Sequence, residues 1–238
     1  MKTSVVGLIG AMDVEVKNLI AALEDRQSVQ VADTAFHMGR VGAVQVIVMR
    51  CGIGKVNAAR GAQMMIDRFH PDVIINTGIA GGIEPGLRVG DIVIGTGLVQ
   101  HDFDVTGFGY VRGYLFTGDG AKPSIFTPDP EWVNLLEAAA MAMTEPARVK
   151  RGLIATGDVF VSTAEKKEDI WQTFHASAAE MEGGAIGQTA TYSHVPFAVL
   201  RVLSDQADGQ AADSYDTFEA QTAKLSSEIL LELLRCLP

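Results

Sequence analysis

The sequence predicts an α/β protein: a single domain with a central, twisted, mostly parallel or mixed β-sheet flanked by helices. Two observations carry this. Short β-branched apolar runs alternate along the chain with longer stretches of helical period. The runs are almost continuously apolar, as strands covered on both faces are. Length and composition agree, since 238 residues with 47% apolar and 20% charged side chains suit one domain spanning residues 1–238.

The elements follow in order. Val5 to Ile9 is the first strand, and Val16, Leu19, Ile20 and Leu23 form the apolar stripe of the first helix. Val44 to Met49 is the next strand, followed by a helix with the stripe Ala62, Met65, Ile66 and Phe69, which Pro71 stops. Val73 to Asn76 and Ile92 to Ile94 are strands. Residues from about 101 to 130, rich in glycine and proline, read as an excursion within the domain. Trp132, Leu135, Leu136 and Ala139 mark a third helix. Leu153 to Ala155 and Phe197 to Leu203 are further strands, and Leu225, Ile229, Leu233 and Leu237 mark the last helix.

Charge excludes some functions. Twenty-nine acidic against nineteen basic residues give a net charge of −10, with no basic block to grip nucleic acid or an anionic membrane. No apolar run is long enough for a membrane helix, and Met1 to Gly10 lacks the long apolar region of a secretory leader. Two cysteines, Cys51 and Cys236, are too few for a disulfide scaffold, so a cytoplasmic location is expected.

Several motifs fail on inspection. Gly52-Ile53-Gly54-Lys55-Val56 resembles the end of a phosphate-binding loop, but Met49 replaces its leading glycine and Val56 its hydroxyl residue. The third glycine of a dinucleotide fingerprint is missing, and no Gly-x-Ser-x-Gly elbow exists. His101, Asp102 and Asp104 lack a second ligand cluster, so no metal site is assigned.

What remains is glycine and carboxylate at strand ends, where open α/β sheets bind ligands. Glu15 follows the first strand. Asn76 to Gly82 reads as a flexible turn after the third. Ala179-Glu180-Met181-Glu182 and Leu203-Ser204-Asp205 complete the set. Singly, each has a plain structural use: Glu15 favours a helix dipole, Glu180 and Glu182 fit a half-exposed strand, and Asp205 suits a cap or turn. Their joint placement points to function.

Together, Ile9 to Val16, Cys51 to Asn57, Asn76 to Gly82, Ala179 to Glu182 and Arg201 to Asp205 resemble the 5′-methylthioadenosine/S-adenosylhomocysteine nucleosidases of the nucleoside phosphorylase superfamily. His101 to Tyr110 and Gly157 to Val161 match as well, so the resemblance spans nearly the whole chain in order. It implies a nucleoside phosphorylase-like fold and hydrolysis of the N-glycosidic bond between ribose and adenine, with no cofactor and no metal. The implied base that activates water is Glu15, and the acid that protonates adenine N7 is Asp205, oriented by Ser204. Glu182 would hold the ribose hydroxyls, and Met181 would line the sugar. Phe160 would stack on adenine while the backbone of Val161 reads its edge. Ala11, Met12, Ile53 and Glu180 join the implied substrate-binding set.

The sequence departs from the family pattern twice. Ile79 stands where serine is common, so only the backbone of Ile79, Ala80 and Gly81 is carried over. Tyr215 stands where the closing aromatic is often phenylalanine. The resemblance also implies a homodimer in which Val105 and Phe108 complete the neighbouring site. A phosphate-using phosphorylase and a non-catalytic nucleoside-binding module are the rival readings. Ile79 and Glu15 argue against a bound phosphate dianion, and the retained Glu15, Glu182 and Asp205 argue against a mere binder.

Overall fold

The computed structural model describes residues 5–237; residues 1–4, the beginning of the Met1 to Gly10 stretch, and residue 238 lie outside the described residues. In chain order the elements begin with β1 (Val5–Gly10), α1 (Asp13–Ala21), β2 (Glu24–Val31), β3 (Thr34–Val41), β4 (Val44–Arg50), α2 (Lys55–Phe69), β5 (Val73–Gly82) and β6 (Ile92–Gln100). They continue with α3 (Pro130–Met143), β7 (Val149–Thr156), α4 (Ala164–Phe174), β8 (Ala178–Glu180), α5 (Gly183–Tyr192), β9 (Phe197–Asp205) and α6 (Ala211–Cys236).

The nine strands form one mixed sheet in the order β2-β3-β4-β1-β5-β8-β7-β6-β9, with β9 also paired to β5. That last pairing closes β5, β8, β7, β6 and β9 on themselves like a small barrel. The parallel expectation holds at the centre, where β1 pairs in parallel with β4 and β5. The flank supplies an antiparallel part of the expected mixed sheet, where β2, β3 and β4 form a meander. Strand β2 escaped the sequence reading because its residues are almost all exposed and its only apolar side chains are Val29 and Val31, too few to mark an alternation.

Alternating residues of each central strand serve opposite faces. Leu8, Val48 and Ile75 pack with Val16 and Leu19 of α1, Leu136 of α3 and Ile229 of α6. Ile9, Met49 and Ile74 pack with Ala62 and Met65 of α2 and Ile186 of α5. This alternation explains the near-continuous apolar runs, since both faces are covered by helices.

Two expectations need correction. Residues 76–82 are not a flexible turn but the second half of β5, held by parallel pairing to β9 from Asn76↔Val199 onward and by antiparallel pairing to β8. The glycines there serve close packing within a strand. Leu23 is buried but lies past the end of α1, on the link to β2.

Candidate active site

A cavity of ≈ 460 Å³ opens where the carboxyl ends of β1, β5, β8 and β9 meet. Ile53 before α2, Phe160 after β7 and Tyr215 in α6 complete its walls. Phe160 and Tyr215 meet edge to face, with ring centroids 5.9 Å apart. Tyr215 Oη donates to Glu219 Oε1 at 3.0 Å and lies 3.1 Å from Met12 Sδ.

Glu15 occupies the first turn of α1 and is almost fully buried. Its Oε2 accepts the N–H groups of Ala11 at 2.7 Å and Met12 at 3.0 Å, and its Oε1 accepts that of Ile79 at 3.1 Å. A side chain at Gly78 would strike Oε1, so the strand passes close only because that residue is glycine. Burial raises the Glu15 pKa above the usual range, opposed by the Arg201 charge and these three N–H groups.

Asp205 ends β9 and is likewise buried. Its Oδ1 accepts the Ala207 N–H at 2.8 Å and its Oδ2 accepts the Ser204 hydroxyl at 2.9 Å. Burial again dominates and pushes its pKa up, toward the protonated form.

Glu182 sits just before α5, and its Oε1 accepts the Gly54 N–H at 2.8 Å. Burial and the neighbouring Glu180 charge push it up to about 8. Glu180 itself is saturated. It accepts from Arg201, Thr156 and the N–H groups of Glu182 at 3.1 Å and Gly183 at 2.7 Å. Arg201, fully buried, also donates to Asn76 Oδ1, whose Nδ2 donates to Ile9 O at 3.0 Å. One guanidinium thus anchors a region holding three buried carboxylates, Glu15, Glu180 and Glu182.

Such an array gathers buried acids around a nucleoside-sized space without a metal cluster among the described residues. A family profile described as Phosphorylase superfamily matches residues 5–235. A 5′-methylthioadenosine/S-adenosylhomocysteine nucleosidase from an Exiguobacterium species is 41% identical over 223 residues, 93% of each chain. The chain belongs to the 5′-methylthioadenosine/S-adenosylhomocysteine nucleosidases of the phosphorylase superfamily. Among solved nucleosidases, that of Neisseria meningitidis in complex with methylthio-immucillin-A superposes with a TM-score of 0.92 at 36% identity, covering 98% of this chain and 100% of that one. A futalosine hydrolase of Helicobacter pylori superposes at 0.89 with 29% identity, covering 99% of each.

Within this nucleosidase, the cavity wall includes the expected Ala11, Met12, Glu15, Ile53, Ile79, Ala80, Gly81, Phe160, Glu180, Met181, Glu182, Ser204, Asp205 and Tyr215. Val161 is not in the wall; its side chain packs in a core with Val99 and Ile170, leaving only its backbone near Phe160. Val105 and Phe108 lie outside the cavity, on a loop where Phe108 is 81% exposed. Glu180 touches the cavity but spends its oxygens inside the protein. Ala179, Ala212 and Asp216 were missed. Ala179 belonged to a quoted motif, whereas nothing in the sequence around Ala212 and Asp216 marks the start of α6 as a cavity wall.

Proposed function

We propose that this nucleosidase hydrolyses the N-ribosidic bond of 5′-methylthioadenosine and S-adenosylhomocysteine, releasing adenine. The observation that carries the proposal is one cavity lined by two buried carboxyls in different hydrogen-bond settings, Glu15 accepting three backbone N–H groups and Asp205 one N–H and the Ser204 hydroxyl. Glu15 is held by three N–H groups and serves as the base that deprotonates water. Asp205 is biased toward its protonated form and donates to adenine N7 as the bond breaks. This division of labour parallels inverting glycosidases, in which one carboxylate activates water while the other protonates the leaving group. Glu182 holds the ribose hydroxyls beside Met181. Phe160, 45% exposed in the isolated chain, offers its ring to the purine, and the Val161 backbone reads the purine edge.

Incubation with methylthioadenosine is expected to release adenine at the same rate with and without phosphate. Dependence on phosphate would make the chain a phosphorylase, and binding without release would make it a sensor. The 5′ group is open to the same assay, run with methylthioadenosine, S-adenosylhomocysteine, 5′-deoxyadenosine and aminofutalosine in parallel. A reducing, cytoplasmic setting is consistent with Cys51 and Cys236, which are both free.

We also propose a two-fold homodimer. Phe108 and the neighbouring Tyr110 and Phe116 expose aromatic surface that a partner would cover. Replacing Val105 and Phe108 by Asp is expected to weaken dimerisation and raise KM together. Light scattering that finds a fully active wild-type monomer at assay concentration would refute the shared site.

A further inference from the structure

Lys55 stands outside the cavity wall, where three distant segments meet. Its Nζ donates to Asp102 Oδ1 at 2.7 Å and to Gln100 Oε1 at 3.3 Å. Its backbone N–H donates to Asp158 Oδ1 at 2.8 Å, and the Asp158 N–H donates to Asp102 Oδ2 at 2.9 Å. A closed ring results, with one ammonium and two carboxylates. The Lys55 and Asp102 side chains are only 17% and 21% exposed, so solvent screens the pair less than it would a surface pair. Burial would raise the Asp102 pKa, yet the Lys55 ammonium and Asp158 N–H outweigh it and hold the carboxyl below the usual range.

Both arms of the ring end at the cavity. Gly54, next to Lys55, donates its N–H to Glu182, and Ile53 lines the wall. Asp158 precedes the Phe160 wall by two residues. The fit is close, because Gly54 has φ +96 and a Cβ there would stand 2.9 Å from Asp158 Oδ1. No local side chain caps the start of α2; Glu182 and Asp158 accept its first N–H groups instead.

We infer that Lys55 is a positioning residue that, through Asp102 and Asp158, sets the Glu182 side of the cavity against the Phe160 side. The inference rests on the proposed roles of those two residues as ribose and purine contacts. Without the ammonium, the partly buried Asp102 carboxylate loses its ion pair and is left to the Asp158 N–H. The Lys55 side chain no longer ties the start of α2 to Asp102 and, through it, to the 157–161 segment. The 157–161 segment then separates from the start of α2, and both substrate contacts are displaced.

Lys55→Met keeps most of the side-chain length and removes the charge, whereas Lys55→Arg keeps the charge. Since misplacement by about 1 Å costs up to about 10²-fold, Lys55→Met is expected to raise KM for methylthioadenosine and Kd for methylthio-immucillin-A about tenfold, with kcat changed less than about threefold. Lys55→Arg should recover most of the loss. Hydrogen exchange should quicken in residues 157–161 as well as 53–57. An unchanged KM, or faster exchange confined to 53–57, overturns the inference. If Lys55→Met does not fold, Asp102→Asn, which weakens the same ion pair from the other side, decides by the same readouts. A wild-type chain that neither binds the analogue nor releases adenine overturns the functional proposal instead, and exchange in 157–161 still decides the role of Lys55.

Discussion

Asp205→Asn is expected to abolish adenine release from methylthioadenosine while leaving the protein folded. The amide keeps the shape and the Oδ1 acceptor for the Ala207 N–H, and Ser204, 3.4 Å from Ala80 O, has an alternative acceptor. What disappears is a transferable proton, and loss of general acid catalysis costs roughly 10²–10⁴-fold. A nitrophenyl riboside, whose leaving group needs no protonation at N7, should be largely spared. Equal damage to both substrates would remove Asp205 from the role of acid. Stability should move the other way. Burial raises the Asp205 pKa in the fold, so its contribution is fully present below the unfolded pKa and is lost as pH rises through the folded one. The asparagine variant has no such loss and is expected to melt no lower than wild type at alkaline pH.

Glu15→Gln should lower kcat by at least ~10²-fold with the Kd for methylthio-immucillin-A changed little. Glutamine retains one oxygen for the N–H groups that hold Glu15, but its amide cannot accept a proton from water. The wild-type pH profile provides a second check. The working form of Glu15 is ionised, and burial raises its pKa, so activity should fall on the acid side above the ordinary glutamate range. Asp205 works protonated, so activity should fall on the alkaline side as it ionises. Wild-type turnover by Glu15→Gln would exclude the mechanism.

The sheet centre was legible because burial on both faces leaves unbroken apolar runs such as Val73 to Ile75 and Phe197 to Leu200. β8 is only three residues long, too short for any period to show. The start of α5, Gly183-Gly184, carries no helix signal; Gly183 lies close against the Glu180 carboxylate and Gly184 against Thr156. At the site, the acids at strand ends were visible in the sequence because ionisable groups are rare at the ends of apolar runs. The employment of Glu180 was not visible, because it depends on β9 lying where Arg201 can reach it. Arg201 did leave a trace, as a cation inside an otherwise apolar strand. The ties of Lys55 to Asp102 and Asp158 span 47 and 103 positions, and no local pattern encodes separations of that kind.

Because β9 returns to pair with β5, the described residues leave the sheet a single unpaired margin, the outer side of β2. An unpaired strand margin is a template on which other polypeptides can add strands, the first step toward fibres. Here that template begins with Glu24, Asp25 and Arg26 and is kinked by a register shift between Glu24 and Gln27. Any incoming strand would have to desolvate those charges and follow the kink. The polar run that hid β2 from pattern reading thus protects the folded chain from aggregating, at the one margin where its sheet could grow.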